Sequence, residues 1–76
     1  MTPIIVEKNR RESLRLSVDE YKGRTLLSCR LWYLPGEGEE LKPGRDGWAV
    51  AIEKLPSIMA GLQRLEVEAR AAGLLE

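Results

Sequence analysis

Seventy-six residues make one domain, and a chain this short buries too little surface to rest on a large core of its own. One cysteine, Cys29, excludes an internal disulfide, and the absence of histidine excludes both an ordinary Cys/His zinc site and any histidine-based nucleophilic triad. Twelve basic residues balance twelve acidic ones, so the chain is no diffuse polycation, yet residues 1–30 hold seven Lys/Arg against four Asp/Glu and residues 31–76 hold five against eight.

With disulfide and metal set aside, pairing with a second copy is the remaining source of burial for so small a fold. A lone thiol suits a reducing compartment. No cationic start runs into an apolar signal segment, and no apolar run reaches bilayer length. The expectation is a soluble cytoplasmic protein with no membrane partner.

In chain order, residues 1–12 read as a flexible arm: a short apolar patch, Ile4-Ile5-Val6, then charge at Lys8 and at Arg10-Arg11. Residues 13–76 are the folded domain. From Ser13 the pattern has period two, with Leu14, Leu16 and Val18 on one face and Arg15 and Ser17 on the other, which predicts a half-buried strand. Asp19 to Gly23 predicts a hairpin turn. The next strand is predicted over Arg24–Leu34. Simple alternation there puts Leu27, Cys29, Leu31 and Tyr33 on one side, and Arg24, Leu26, Ser28, Arg30 and Trp32 on the other.

Pro35 to Glu40 is an acidic, glycine-containing loop. Leu41-Lys42-Pro43 predicts a short edge strand, Gly44 to Gly47 a turn, and Trp48–Ile52 a last short strand. The period then changes. Leu55, Ile58, Met59, Leu62, Leu65, Ala69 and Ala72 recur at steps of three and four, predicting one helix over Glu53–Ala72, closed by Gly73 and lying over one face of the sheet. Pro56 fits only in its first turn. The fold class is α+β: four antiparallel strands forming a curved sheet, then one C-terminal helix, working as a two-fold dimer.

Reaction chemistry finds little to stand on. Cys29 reads as a small core residue in a strand. Glu37, Glu39 and Glu40 read as a solvated loop rather than a calcium site, and Gly36 and Gly38 lack the Gly-Lys-Ser/Thr of a phosphate loop. Neither catalysis nor a cofactor or metal is expected. What the chain does offer is cations beside flat rings. Lys22, Arg24, Arg30, Lys42 and Arg45 come from neighbouring strand ends and turns, with Tyr21, Trp32 and Tyr33 among them. Guanidinium groups hold phosphate bidentately, and aromatic rings stack on unpaired bases of any sequence. The same residues also fit a protein-interaction module with an exposed aromatic patch or a free strand edge. Residue pattern alone leaves both readings open.

Val18-Asp19-Glu20-Tyr21-Lys22-Gly23-Arg24, Arg30 with its aromatic pair, and Leu41-Lys42-Pro43-Gly44-Arg45-Asp46-Gly47, in this order and spacing, resemble the single-stranded-DNA-binding core of the transcriptional coactivator family called positive cofactor four. The resemblance runs from Leu16 to Leu62. It implies a four-stranded antiparallel sheet and a helix, dimerisation through the helices, and grooves for single strands. Carried across, it gives Tyr21, Lys22, Arg24, Arg30, Tyr33, Lys42 and Pro43; with Trp32 and Arg45 from the residue pattern these make up the nucleic-acid-binding set. Lys22, Arg24 and Arg30, with Lys42 and Arg45, would hold phosphates; Tyr21 and either Tyr33 or Trp32 would stack on bases. Ile58, Met59, Leu62, Leu65 and Ala69 are the expected dimer interface, buried between the chain's own sheet and the partner. The implied activity is binding of single-stranded DNA with little sequence preference, in transcription regulation or in replication and recombination, with transcription or replication proteins as further partners. Single-stranded RNA is the alternative ligand. Asp46 stands where the family often has a cation, and the loop at Pro35–Glu40 is slightly lengthened; with zero net charge these imply weaker or more selective binding. The compact form is similar to bacterial or phage members, which implies a cytoplasmic, nucleoid-associated protein, or a nuclear one in a eukaryote.

Overall fold

The computed structural model describes all of residues 1–76. Four strands, β1 (Ile4–Glu7), β2 (Glu12–Tyr21), β3 (Arg24–Tyr33) and β4 (Lys42–Ala51), form one antiparallel meander in the order β1-β2-β3-β4. A 3₁₀ turn at Ile52–Lys54 leads into the helix α1 (Leu55–Ala71). Strand alternation sorts the sheet into two faces. Leu14, Leu16 and Val18 stand opposite Leu31, Cys29 and Leu27, and β4 adds Trp48 and Val50 to that apolar face. The other face carries Ser13, Arg15, Ser17, Asp19 and Tyr21 against Trp32, Arg30, Ser28, Leu26 and Arg24.

Three expectations need correction. Residues 4–7 are not part of a loose arm, because Ile4, Ile5 and Val6 pair with Leu16, Arg15 and Leu14 as an edge strand. Three consecutive β-branched residues suit a pleated edge, and Asn9 fixes the return. Its Oδ1 accepts from the backbone N–H of Arg11 and of Glu12, both at 2.9 Å, while its amide donates to Glu12 Oε1 at 3.0 Å. Next, the two short strands expected around residues 41–52 are one strand, β4. Gly44, Arg45 and Asp46 bulge between the pairs Trp32–Pro43 and Arg30–Gly47 instead of turning the chain back. Pro43 is accommodated because β4 is a sheet edge. Finally, α1 does not lie over its own sheet. The chain approaches β3 through the 3₁₀ turn and α1 then projects away, leaving Met59, Leu62 and Leu65 at 49, 56 and 62 % exposed.

The β2–β3 turn is tighter than the sequence suggests. Both strands run to the hairpin tip, and only Lys22 (φ 51°) and Gly23 (φ 76°) turn the chain, as in a two-residue loop with both residues left-handed. The helix begins with Pro56 in its first turn, where the missing N–H costs nothing. It ends as Gly73 (φ 77°) lets Leu74 N–H reach back to Ala69 O at 2.8 Å. No helix is long and apolar enough to cross a membrane.

The single chain has almost no interior. Leu27 is the one buried apolar side chain. A compact domain of this length has a radius of gyration of about 11 Å, whereas this one measures 14.9 Å. Its accessible surface is 6536 Å², roughly 1,800 Å² beyond what a folded monomer of this mass exposes. Both the helix stripe and the apolar sheet face, where Trp48 is 46 % exposed, lie open.

Candidate nucleic-acid interface

The polar face of the sheet holds an open cleft lined by Arg15, Ser17, Asp19, Tyr21, Leu26, Ser28, Arg30, Trp32, Pro43 and Ala49, together with Pro3 and Glu20. The residues that line it follow from register. On β2 and β3 every second residue points to this face, and antiparallel pairing sets them as rungs: Ser13/Trp32, Arg15/Arg30, Ser17/Ser28, Asp19/Leu26, Tyr21/Arg24. Successive rungs are about 7 Å apart, comparable to the spacing of nucleotides along an extended strand.

Arg30 is held in place by the bulge of β4. Its Nη1 donates to Gly44 O at 3.0 Å, leaving the remaining guanidinium donors free of protein partners. The same bulge explains two glycines. A Cβ on Gly47 would sit 2.8 Å from Cys29 O and 3.1 Å from Arg30 Cα, and one on Gly44 would sit 2.9 Å from Leu31 O. Backbone approaches backbone there so closely that only glycine fits.

The other end of the cleft is anionic. The hydroxyls of Ser28 and Ser17 each donate to Asp19 Oδ2 at 2.8 Å. Those two hydrogen bonds, Ser28's foremost, hold the Asp19 carboxyl below its ordinary range. Beyond it, at the hairpin tip, Lys22 Nζ lies 5.3 Å from the centre of the Tyr21 ring.

Of the nine residues drawn from the sequence, Tyr21, Arg30, Trp32 and Pro43 line this one cleft. Arg24 pairs with Tyr21 on the same face, and Lys22 caps the turn between them. Tyr33 and Lys42 do not join the cleft: they pair with each other one position on from Trp32–Pro43, and alternation turns them to the opposite side. Tyr33 instead lines a separate depression with Asn9, Arg10, Arg11, Glu12 and Leu34. Arg45 is exposed within the bulge. The cleft also contains a residue outside the sequence-drawn set, Arg15, whose guanidinium lies 3.7 Å from the centre of the Trp32 ring. The signal that finds it is the alternation of Leu14 and Leu16, which already puts Arg15 on the polar face.

At the β1–β2 turn, Glu12 accepts from Asn9 and from Lys8 Nζ, the latter at 3.4 Å, and these contacts lower its carboxyl pKa. Arg10 and Arg11 remain exposed beside Tyr33. Nowhere in the chain do three or more Cys, Asp or Glu side chains gather as a metal site.

The sequence profile of the family described as transcriptional coactivator p15 (PC4) matches residues 8–60, from the β1–β2 turn into the first half of α1. A crystal structure of a PC4 homologue from Burkholderia pseudomallei K96243 is similar, with 27 % identity over 83 % of this chain and 84 % of that one, and a TM-score of 0.75. The bacteriophage T5 homologue of the eukaryotic coactivator PC4, implicated in recombination-dependent DNA replication, shares 20 % identity over 96 % of this chain and 82 % of its own, with a TM-score of 0.63. The MoSub1–DNA complex shares 20 % identity over 93 and 86 % of the two chains, with a TM-score of 0.62. These last two similarities speak to the fold. No curated protein matches the chain significantly. A profile that spans both middle strands, the bulged β4 and the start of the helix covers well over half of the chain, which therefore belongs to the PC4 family.

Proposed function

We propose that this protein binds single-stranded DNA with little base preference, as a two-fold dimer, in the service of transcription or of replication and recombination. The observation that carries this reading is the convergence of Tyr21, Arg30, Trp32 and Pro43 on one open cleft along the polar face of the sheet. Arg30, Arg24 and Lys22 hold phosphates, Arg45 in the bulge adds positive charge, and Tyr21 meets bases, with Trp32 a second ring in the same cleft; Lys42 and Tyr33, on the opposite side of the sheet, lie outside this groove. The open cleft admits splayed bases more readily than a rigid duplex. The relatives supply the pathway options: the phage homologue is implicated in recombination-dependent replication, and the family's name is that of a transcriptional coactivator.

Self-association is supported by the uncovered stripe of α1. Ile58, Met59, Leu62, Leu65 and Ala69 are not roofed by the sheet of their own chain, and the excess exposed surface per chain is of the size that stable interfaces bury. A second copy is the occupant that a symmetric pairing of helices requires.

The test is binding of a labelled mixed-sequence strand of about 20 nucleotides, against its duplex and the same RNA sequence, across a salt series. The DNA strand is expected to bind tightest, with a logarithmic salt slope of about −0.7 per phosphate neutralised. Arg30→Ala should weaken binding and flatten the slope. Tyr21→Ala should cost roughly 1–3 kcal/mol of stacking at unchanged slope. Equal, feeble binding to all three nucleic acids, indifferent to Arg30→Ala, overturns the reading in favour of a protein-interaction module.

A further inference from the structure

The register of β2 and β3 sets Arg15 directly opposite Arg30 on the polar face. Two like charges facing each other across an antiparallel pair destabilise a sheet, and no carboxylate is bonded to either of these. The ion pairs of the chain are Lys8–Glu12, Arg64–Glu68 and Glu66–Arg70, at the β1–β2 turn and along the helix.

Arg30 spends one donor on Gly44 O. The Arg15 guanidinium makes no hydrogen bond; it lies over the Trp32 ring, and its Nε is buried without an acceptor. A buried N–H left unpaired is costly, and a guanidinium carries five donors matched to oxyanions. Two such forks rooted on one rung of an open cleft offer the charge and the donors that one oxyanion takes.

We propose that Arg15 and Arg30 together seat a single phosphate group, with Trp32 as the platform that orients Arg15. This rests on the single-stranded-DNA reading and deepens it: the central phosphate of the bound strand sits on the Arg15/Arg30 rung. Trp32 then serves mainly as a support for Arg15, and base stacking falls to Tyr21.

The test uses the full chain and the same DNA strand in a salt series, with Arg15→Gln, Arg30→Gln, the double variant and Arg15→Lys. Each single Gln variant should weaken binding by roughly tenfold. The double variant should lose about 0.7 from the salt slope in total, one phosphate's worth, rather than the ~1.4 expected of two separate seats. Arg15→Lys, which keeps the charge and loses the planar fork, should retain the slope and still bind more weakly than the parent. It also serves if Arg15→Gln does not fold. Unchanged affinity in both Arg15 variants, or additive slope losses in the double variant, overturns the shared seat while leaving single-strand binding intact. A parent protein with no preference for the single strand overturns both proposals.

Discussion

Asp19 places a negative charge in a cleft whose other end is cationic, and two serine hydroxyls keep it ionised. Asp19→Ser should raise affinity for single-stranded DNA by roughly two- to fivefold, as removal of an exposed like charge does, read from the same binding titration. The pH dependence has a definite sign. The folded-state pKa of Asp19 is depressed, so its contribution to stability is fully present above the unfolded value of about 4 and is lost as pH falls through the lower folded value. Acid titration followed by circular dichroism should therefore show Asp19→Asn flattening the stability loss below that range. At the residue scale the sequence is partly legible. Alternation puts Arg24, Arg30 and Trp32 on one face, and the register keeps them there. The same alternation sets Tyr33 apart from Trp32, although their adjacency in sequence draws both toward one role. Arg15 is visible as a polar-face residue, but its pairing with Arg30 needs the hairpin tip to be located at Lys22-Gly23.

Among the elements, the β2–β3 hairpin and the β4 bulge carry the site. Lys22 holds a left-handed backbone that costs a non-glycine residue roughly 1–2 kcal/mol. Lys22→Asn should raise the thermal midpoint, since Asn-Gly suits this turn, and should weaken DNA binding by removal of a cation. Opposite signs in the two measurements separate the turn's demands from the ligand's. Gly47→Ala should cost about 1–3 kcal/mol in denaturant unfolding, because its Cβ meets backbone on β3 that does not yield. Strand and helix types are legible from period alone. The bulge is not, because Gly44 and Gly47 signal a turn as readily as a close approach, and only the partner strand decides between them. β1 escapes a reading by period, because three apolar residues next to a charged run carry no alternation.

Taken as a whole, the chain has an apolar helix stripe and an apolar sheet face that do not cover each other. The stripe at Ile58, Met59, Leu62, Leu65 and Ala69 is legible in the sequence; what it packs against is not, since periodicity reports that a face is apolar and never what meets it. Leu62→Glu should abolish the proposed dimer in sedimentation equilibrium and lower the thermal midpoint sharply. With a single buried apolar side chain, the lone chain has little to hold it folded while it waits for a partner. Under the proposed pairing, folding and association are one bimolecular event, in which refolding from denaturant should speed up in proportion to protein concentration and the melting point should climb with it. Dilution alone would then act as a denaturant, and the amount of protein a cell makes would decide how much of it is folded at all.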